Sequence, residues 1–297
     1  MYYIGIDGGG SKTAVRLANK DKTPLADVTA LGCNPSYVGV ENALDIIENA
    51  VKEVCLKANV PFEEIASVFG GIAGCVTHNF SPECKERLGK LLPNAKINIV
   101  NDSMLLFVNF SGSDGAVMIC GTGSICFVLK DGKLNRVGGY GTLDGGGSGY
   151  EIGKAAVSYA LKAADGRREQ TILTRLIDEK NKKGIVEVTS NLSLDEIRGI
   201  GQYAPLVFEA HKLGDKVATS ILEDCFEFLA EYVDVAKKHF DGEFELVLGG
   251  GIFKVPEAVE LFKKKCNAPI IPIVAGEPVD CAVTSAIDGN IALKVLG

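Results

Sequence analysis

Three short glycine-rich segments of this chain each follow an apolar run and carry groups able to bind an anion. The first is Asp7-Gly8-Gly9-Gly10-Ser11-Lys12-Thr13, the second Gly121-Thr122-Gly123-Ser124, and the third Gly249-Gly250-Gly251. Glycine leaves no Cβ between backbone N–H groups and a ligand, and it adopts φ > 0 without strain. Successive N–H groups in such a turn form a concavity that holds phosphate, and serine or threonine hydroxyls add donors. The first two segments share one plan of apolar strand, glycine turn, hydroxyl residue and second strand. The chemistry this implies is a nucleotide held between two similar halves.

Commoner phosphate loops fit less well. A Walker A loop needs glycine directly before lysine, whereas Ser11 separates Gly10 from Lys12. The dinucleotide fingerprint begins well at Gly8 and Gly10 but meets Thr13 where its last glycine belongs. Asp27 stands where a ribose-binding acid would, roughly 20 residues on. Yet Lys12–Leu17 alternates as a strand where that fold requires a helix. Cys75, His78 and Cys84 invite a zinc reading, but a structural zinc needs four ligands at paired short spacings. Cys55, Cys120, Cys126 and Cys225 have apolar neighbours and read as small core residues.

The elements that position these turns follow from the hydrophobic periodicity. Strands are expected at 2–7, 13–19 and 25–30, then a helix at 41–58 and a strand at 66–72. A helix at 82–92, capped by Ser81 with Pro82 in its first turn, precedes a strand at 97–100 that ends at Asn101-Asp102. The second half opens alike, with strands at 115–120, 125–130 and 133–138 and a hairpin turn at Asp131-Gly132. Helices at 149–164, 169–180, 194–213 and 215–240 follow, then strand 244–248, helix 256–265, strand 269–274 and a final helix at 279–295. Both halves thus read βββαβαβα, the second with helical insertions. The expected domains are 1–112, alone or completed by the final helix 279–297, and 113–278.

Composition narrows the partners. With 297 residues, 46% hydrophobic and 23% charged, the chain has ample material for two cores. A formal charge of −7 and no basic cluster speak against nucleic acid and anionic membranes. No apolar run reaches the roughly 18 residues of a membrane span. The first residues enter a strand without the pattern of a signal peptide. Nine scattered cysteines fit free thiols in a reducing compartment, so a cytoplasmic protein is expected.

Taken in order, these residues resemble the actin/hexokinase/Hsp70 ATPase superfamily, and within it the N-acetylglucosamine kinase group that includes BadF/BadG-type ATPases. The resemblance spans essentially the whole chain. It implies an α/β fold of two duplicated actin-like (ribonuclease H-like) domains around a central nucleotide cleft, with ATP and Mg²⁺ as cofactors. Gly8, Gly9, Gly10, Ser11, Lys12 and Thr13 correspond to the first phosphate loop, and Gly121, Thr122, Gly123 and Ser124 to the second. Gly249, Gly250 and Gly251 correspond to the adenosine turn. Asn34, in Cys33-Asn34-Pro35, together with Ala73 and Gly74, stands where the sugar kinases contact the sugar. Gly139 and Tyr140 fall in a segment, Gly138–Gly141, similar to the family's Gly-Gly-Trp-Gly.

The mechanism so implied has Asp7 orienting hydrated Mg²⁺ and Asp102 accepting the proton of a sugar hydroxyl, with Asn101 beside it at the acceptor. Lys12 either stabilises phosphate charge or faces solvent. Read locally, Asp102 is an N-cap for a helix at 103–110, a role compatible with catalysis. The family's kinases usually carry Gly-Asp-Glu-Gly-Ser-Gly where this chain has Asp144-Gly145-Gly146-Gly147-Ser148-Gly149. Asp144 is displaced by one position and is either a sugar contact or a surface loop residue. Losing two acidic side chains favours a bulkier or anionic acceptor. The expectation is a homodimeric ATP-dependent amino-sugar kinase acting on N-acetylglucosamine, with N-acetylmuramic acid as a second acceptor. The alternative is a BadF-type ATPase that activates a partner enzyme.

Overall fold

The computed structural model describes residues 1–76, 79–144, 146–181, 184–190 and 197–289. The chain divides into two compact units, one of Met1–Ser111 with the segment from Ala275 on, the other of Gly112–Val274. The first unit is built on strands β1 (Tyr2–Gly8), β2 (Lys12–Asn19), β3 (Pro24–Leu31), β4 (Ile65–Ile72) and β5 (Lys96–Val100), ordered β3-β2-β1-β4-β5. The β1–β2 and β2–β3 pairs are antiparallel, and β1–β4 and β4–β5 are parallel. Helices α1 (Pro35–Val38), α2 (Val40–Ala58) and α3 (Phe80–Leu91) connect them. Ile47, Ala50, Val51 and Val54 place one face of α2 in the core, and Asn59 ends the helix in the left-handed region at φ 52°.

The second unit repeats this order. Strands β6 (Gly115–Cys120), β7 (Ser124–Lys130), β8 (Lys133–Val137), β9 (Phe244–Gly249) and β10 (Ile270–Val274) lie as β8-β7-β6-β9-β10, with the same senses of pairing. Between β8 and β9 run α4 (Gly149–Ala164), α5 (Ile172–Lys180), α6 (Ile185–Ser190), α7 (Ile197–Ile200), α8 (Ala204–Lys212) and α9 (Lys216–Lys237). Helix α10 (Pro256–Lys265) joins β9 to β10. Phe226, Phe253 and Phe262 pack at the centre of this core, the last two with ring centroids 5.3 Å apart. Burying each such ring contributes about 1.5–3 kcal/mol.

The chain then returns to the first unit with α11 (Pro278–Asp288). This helix lies directly on β1: a Cβ at Gly5 would meet Val279 O and Val283 N within 2.8 Å. Arg16 on β2 binds both carboxylate oxygens of Asp27 on β3, at 2.6 and 2.9 Å, and also reaches Asp280 of α11. Asp27 is therefore part of a strand-to-strand ion pair, which removes the ribose-acid reading.

Four local expectations are corrected. Helix α3 starts at Phe80 with Asn79 before it, and Ser81 lies inside, donating its hydroxyl to Ile99 O at 2.8 Å. The segment after β5 is a 3-10 helix, Asp102–Asn109, and its N-cap is Asn101, not Asp102. Helix α5 begins at Ile172, where Thr171 and Thr174 form a reciprocal cap. The helix expected over 194–213 is described as α7, a 3-10 turn at Gly201–Tyr203 and α8, with 194–196 outside the described residues. The described part of the final helix ends at Asp288, capped by Gly289 at φ 88°.

All nine cysteines are free, and only Cys266 is not buried. Burial pushes their thiols up, to about 11 for Cys55 and about 12 for Cys84. Of the zinc reading, Cys75 and Cys84 are core residues, and His78 lies outside the described residues. No helix among the described residues is long and apolar enough to cross a membrane.

Candidate active site

Both glycine turns sit at the carboxyl end of the central strand of their own sheet, where ligands of open α/β sheets collect. In the first unit Gly8 pairs with Thr13 across the turn and Asp7 pairs with Ala14 and Gly71. In the second, Cys120 pairs with Ser124, and Ile119 pairs with Ile125 and Gly249. Each turn is closed by a backbone hydrogen bond, Gly9 N–H donating to Lys12 O and Gly121 N–H to Gly123 O, both at 2.9 Å.

Within the first turn the side chains diverge by strand alternation. Gly10, Ser11 and Lys12 are exposed, whereas Thr13 is fully buried and its hydroxyl donates to Leu31 O at 2.8 Å. Thr13 thus ties β2 to β3 through its hydroxyl. Two neighbours press on the turn from below: Cys33 N–H donates to Gly9 O at 3.1 Å, and Ala73 N–H to Gly8 O at 2.7 Å. These bonds bring Asn34, Ala73 and Gly74 beside Gly8. Asn34 caps α1, accepting from Ser36 N–H at 2.9 Å, and a Cβ at Gly74 would strike its Oδ1.

Asn101 and Asp102 stand at the end of β5 in the same unit. Asn101 Oδ1 accepts from the Ser103 hydroxyl at 2.6 Å, while Asp102 Oδ1 accepts from Ser103 N–H at 3.0 Å. Burial holds the Asp102 carboxyl above the ordinary aspartate value, partly offset by these backbone donors. Asp7 and Asp102 both bear on the Cys33 thiol, which burial pushes up to about 11. The two carboxylates of the expected mechanism thus both add to the upward shift of one core cysteine.

The second turn opens onto a cavity of about 460 Å³ inside its own unit. Gly121 and Thr122 line one side, Gly251 and Ile252 another, and Gln202, Pro205 and Phe208 are among the other lining residues. The second and third sequence-predicted turns thus meet at one cavity. Nothing stands within 4 Å of where a Cβ of Gly121, Gly123 or Gly251 would be, so internal packing gives no reason for glycine there. Helix α4 holds the turn from behind, its Gly149 and Tyr150 N–H groups donating to Gly121 O and Thr122 O at 2.8 and 3.2 Å. Gly250 packs against Cys120, and Ser124 donates its hydroxyl to Gly146 O, so these two brace the turn. Gln202, Pro205 and Phe208 were missed in the sequence, because they fall where a single continuous helix was expected.

The segment after β8 folds around one tyrosine. Gly138, Gly139 and Gly141 all have positive φ, and Arg136 donates to the carbonyls of Gly138 and Gly139 while its guanidinium lies 4.8 Å from the Tyr140 ring centre. Tyr140 is largely exposed. Tyr232 of α9 enters behind this loop and donates to Asp144 Oδ2 at 2.8 Å. A Cβ at Gly146 would overlap the Tyr232 hydroxyl. The room expected from the missing acidic side chain is consequently filled by Tyr232. Gly145 lies outside the described residues.

Comparison with known proteins places these features. The BadF/BadG/BcrA/BcrD ATPase family matches residues 4–287. The chain is 28% identical over 286 residues to an N-acetylmuramic acid/N-acetylglucosamine kinase of Clostridium acetobutylicum, covering 92% of this chain and 94% of the relative. It is 30% identical over 271 residues to an N-acetyl-D-glucosamine kinase of Dictyostelium discoideum, covering 84% of each. A ROK family glucokinase of Streptomyces griseus, crystallised with glucose and AMPPNP, shares the fold with a TM-score of 0.67 at 16% identity, over 97% of this chain and all of that one.

Proposed function

The chain belongs to the BadF/BadG/BcrA/BcrD ATPase family, and from that premise we propose that it is an ATP-dependent kinase phosphorylating a hydroxyl of an N-acetylated amino sugar. The observation that carries this reading is the cavity bounded at once by Gly121-Thr122 and by Gly251. Its size and partly apolar wall suit a nucleoside, with the phosphates toward the glycine turn. The acceptor is taken from the names of the relatives: N-acetylglucosamine, with N-acetylmuramic acid as a second substrate.

Phosphoryl transfer depends on positioning and charge neutralisation more than on covalent chemistry. Asp102, half-buried with its carboxyl held up by desolvation, accepts the proton of the attacking hydroxyl. Asn34 and Gly74, side by side at the first turn, orient the acceptor. Asp7 is the residue that would hold a hydrated magnesium ion, which when bound would supply charge neutralisation. Among the described residues no group of three or more His, Cys, Asp or Glu is placed to hold a metal.

The test is ADP release over a panel of sugars, comparing kcat/KM for N-acetylglucosamine and N-acetylmuramic acid. Turnover of both is expected. ATP consumption that no sugar stimulates would replace this reading with an ATPase acting on a partner protein.

A further inference from the structure

A second cavity, of about 580 Å³, opens at the starts of α5 and α9 and is lined also by Tyr159 of α4. Buried Asp215, the N-cap of α9, joins the two helix starts. One of its carboxylate oxygens accepts from Val217 and Ala218 N–H at 2.8 and 3.1 Å, the other from Leu173 N–H of α5 at 2.7 Å. Burial would raise its carboxyl, but these donors hold it below the ordinary aspartate value. The Asp215 charge is thus spent inside the protein, and the wall it builds is fixed.

The other polar side chains on this cavity point to something outside the chain. Arg16, Arg87, Arg136, Arg167 and Arg168 each donate to a protein oxygen. The Arg175 guanidinium makes no hydrogen bond, ion pair or ring contact among the described residues. The Lys216 ammonium, the Tyr159 hydroxyl, the Gln170 amide and the Glu169 carboxylate are unpartnered there as well. Two unpaired cations against one exposed acid leave a net pull on an anion. The volume falls in the range that holds small ligands. No residue lines both this cavity and the one at Gly121-Thr122, so the two can be filled together. Along α4, Tyr159 lies about 15 Å from Gly149, at 1.5 Å per residue.

We propose that this cavity is a second ligand site, one that takes a hexose monophosphate. Arg175 and Lys216 bind the phosphate, the guanidinium fork matching two of its oxygens. Gln170 and Glu169 bond to sugar hydroxyls, and the Tyr159 ring offers an apolar wall to the pyranose. The site does not depend on the kinase reading; a hexose monophosphate is also the class of product which that reading assigns.

The test is calorimetric titration of glucose 6-phosphate into the full chain, with and without saturating AMPPNP, with inorganic phosphate and N-acetylglucosamine as control ligands. Binding is expected at the same affinity with or without AMPPNP, and at least about tenfold tighter than for either control. Arg175→Gln and Lys216→Gln should each weaken it about tenfold, the worth of one hydrogen bond to a charged group. Both side chains are exposed, so melting temperature and basal ATP turnover should not change in either variant. No binding to the unaltered protein, unchanged affinity in both variants, or displacement by AMPPNP would overturn the proposal. Inorganic phosphate binding as tightly as glucose 6-phosphate would overturn the assignment to a sugar. The titration reads binding without turnover, so it decides the site whatever the kinase assay shows.

Discussion

The Tyr232 hydroxyl and Asp144 Oδ2 are 2.8 Å apart although 88 residues separate them in the chain. The pair stands where Gly146 has no side chain, and the phenol fills that gap. Gly146→Ala should therefore overpack the site and cost about 1–3 kcal/mol of stability. Adding Tyr232→Phe should restore part of that loss, because the hydroxyl is the atom nearest the new methyl group. Urea midpoints of the three variants check this. Strictly additive losses would show that the two positions do not share the space.

Asp102→Asn should lower sugar-dependent turnover by about 10²–10⁴-fold while ATP still binds, since the general base is lost and its shape is kept. The same variant should be no less stable at neutral pH. Burial raises the carboxyl of Asp102 in the folded state, so the folded protein holds that proton more tightly than the unfolded chain. The resulting penalty is absent below the ordinary aspartate value, grows as pH rises toward the raised one, and is fully present above it. The asparagine variant escapes it. For the unaltered enzyme, kcat/KM should fall as pH drops through the raised value. Melting curves and pH profiles of the two proteins test both statements; a less stable, fully active variant would remove Asp102 from the role of base.

Gly251→Leu separates binding from folding. Gly251 has ordinary helical dihedrals, φ −63° and ψ −30°, and open space at its missing Cβ. A leucine there should fold normally yet project into the 460 Å³ cavity, raising KM for ATP at least about tenfold, a loss of about 1.4 kcal/mol. Unchanged ATP affinity would mean that the nucleoside does not use this cavity.

Thr13→Val should act on stability. The buried Thr13 hydroxyl donates to Leu31 O at 2.8 Å, and replacing it with a methyl group removes that bond at a cost of about 0.5–1.5 kcal/mol. Thr13→Ser, which keeps the hydroxyl, should lose less. If Thr13→Val instead kept its stability and lost ATP affinity, the hydroxyl would belong to the phosphate site after all.

Much of this was legible in the chain because both sheets begin with three alternating strands joined by short turns. That pattern recurs, so the repeated strand order was within reach of periodicity alone. The glycine turns were legible for the same reason: each follows a strand directly. What could not be read locally was the direction of hydroxyls. Ser11 and Thr13 are two residues apart, yet one is exposed and the other lies wholly inside the sheet. Ser124 and Thr122 diverge likewise, one bracing Gly146 and the other lining the cavity. Tyr232 left no signal because its meaning depends on glycines at 138 and 146 that are remote in sequence. Gln202 and Phe208 were hidden by a helical pattern that the 3-10 turn starting at Gly201 interrupts.

The central claim is that ATP's terminal phosphate goes to a sugar hydroxyl, and the most direct measurement is the ratio of sugar phosphate formed to ATP consumed. With labelled ATP and saturating N-acetylglucosamine, the account predicts a ratio near one, ATP consumption falling to a small fraction when the sugar is omitted, and a phosphorylated sugar identified by its mass. Steady ATP hydrolysis that proceeds equally without sugar, with free phosphate as the labelled product, would contradict it.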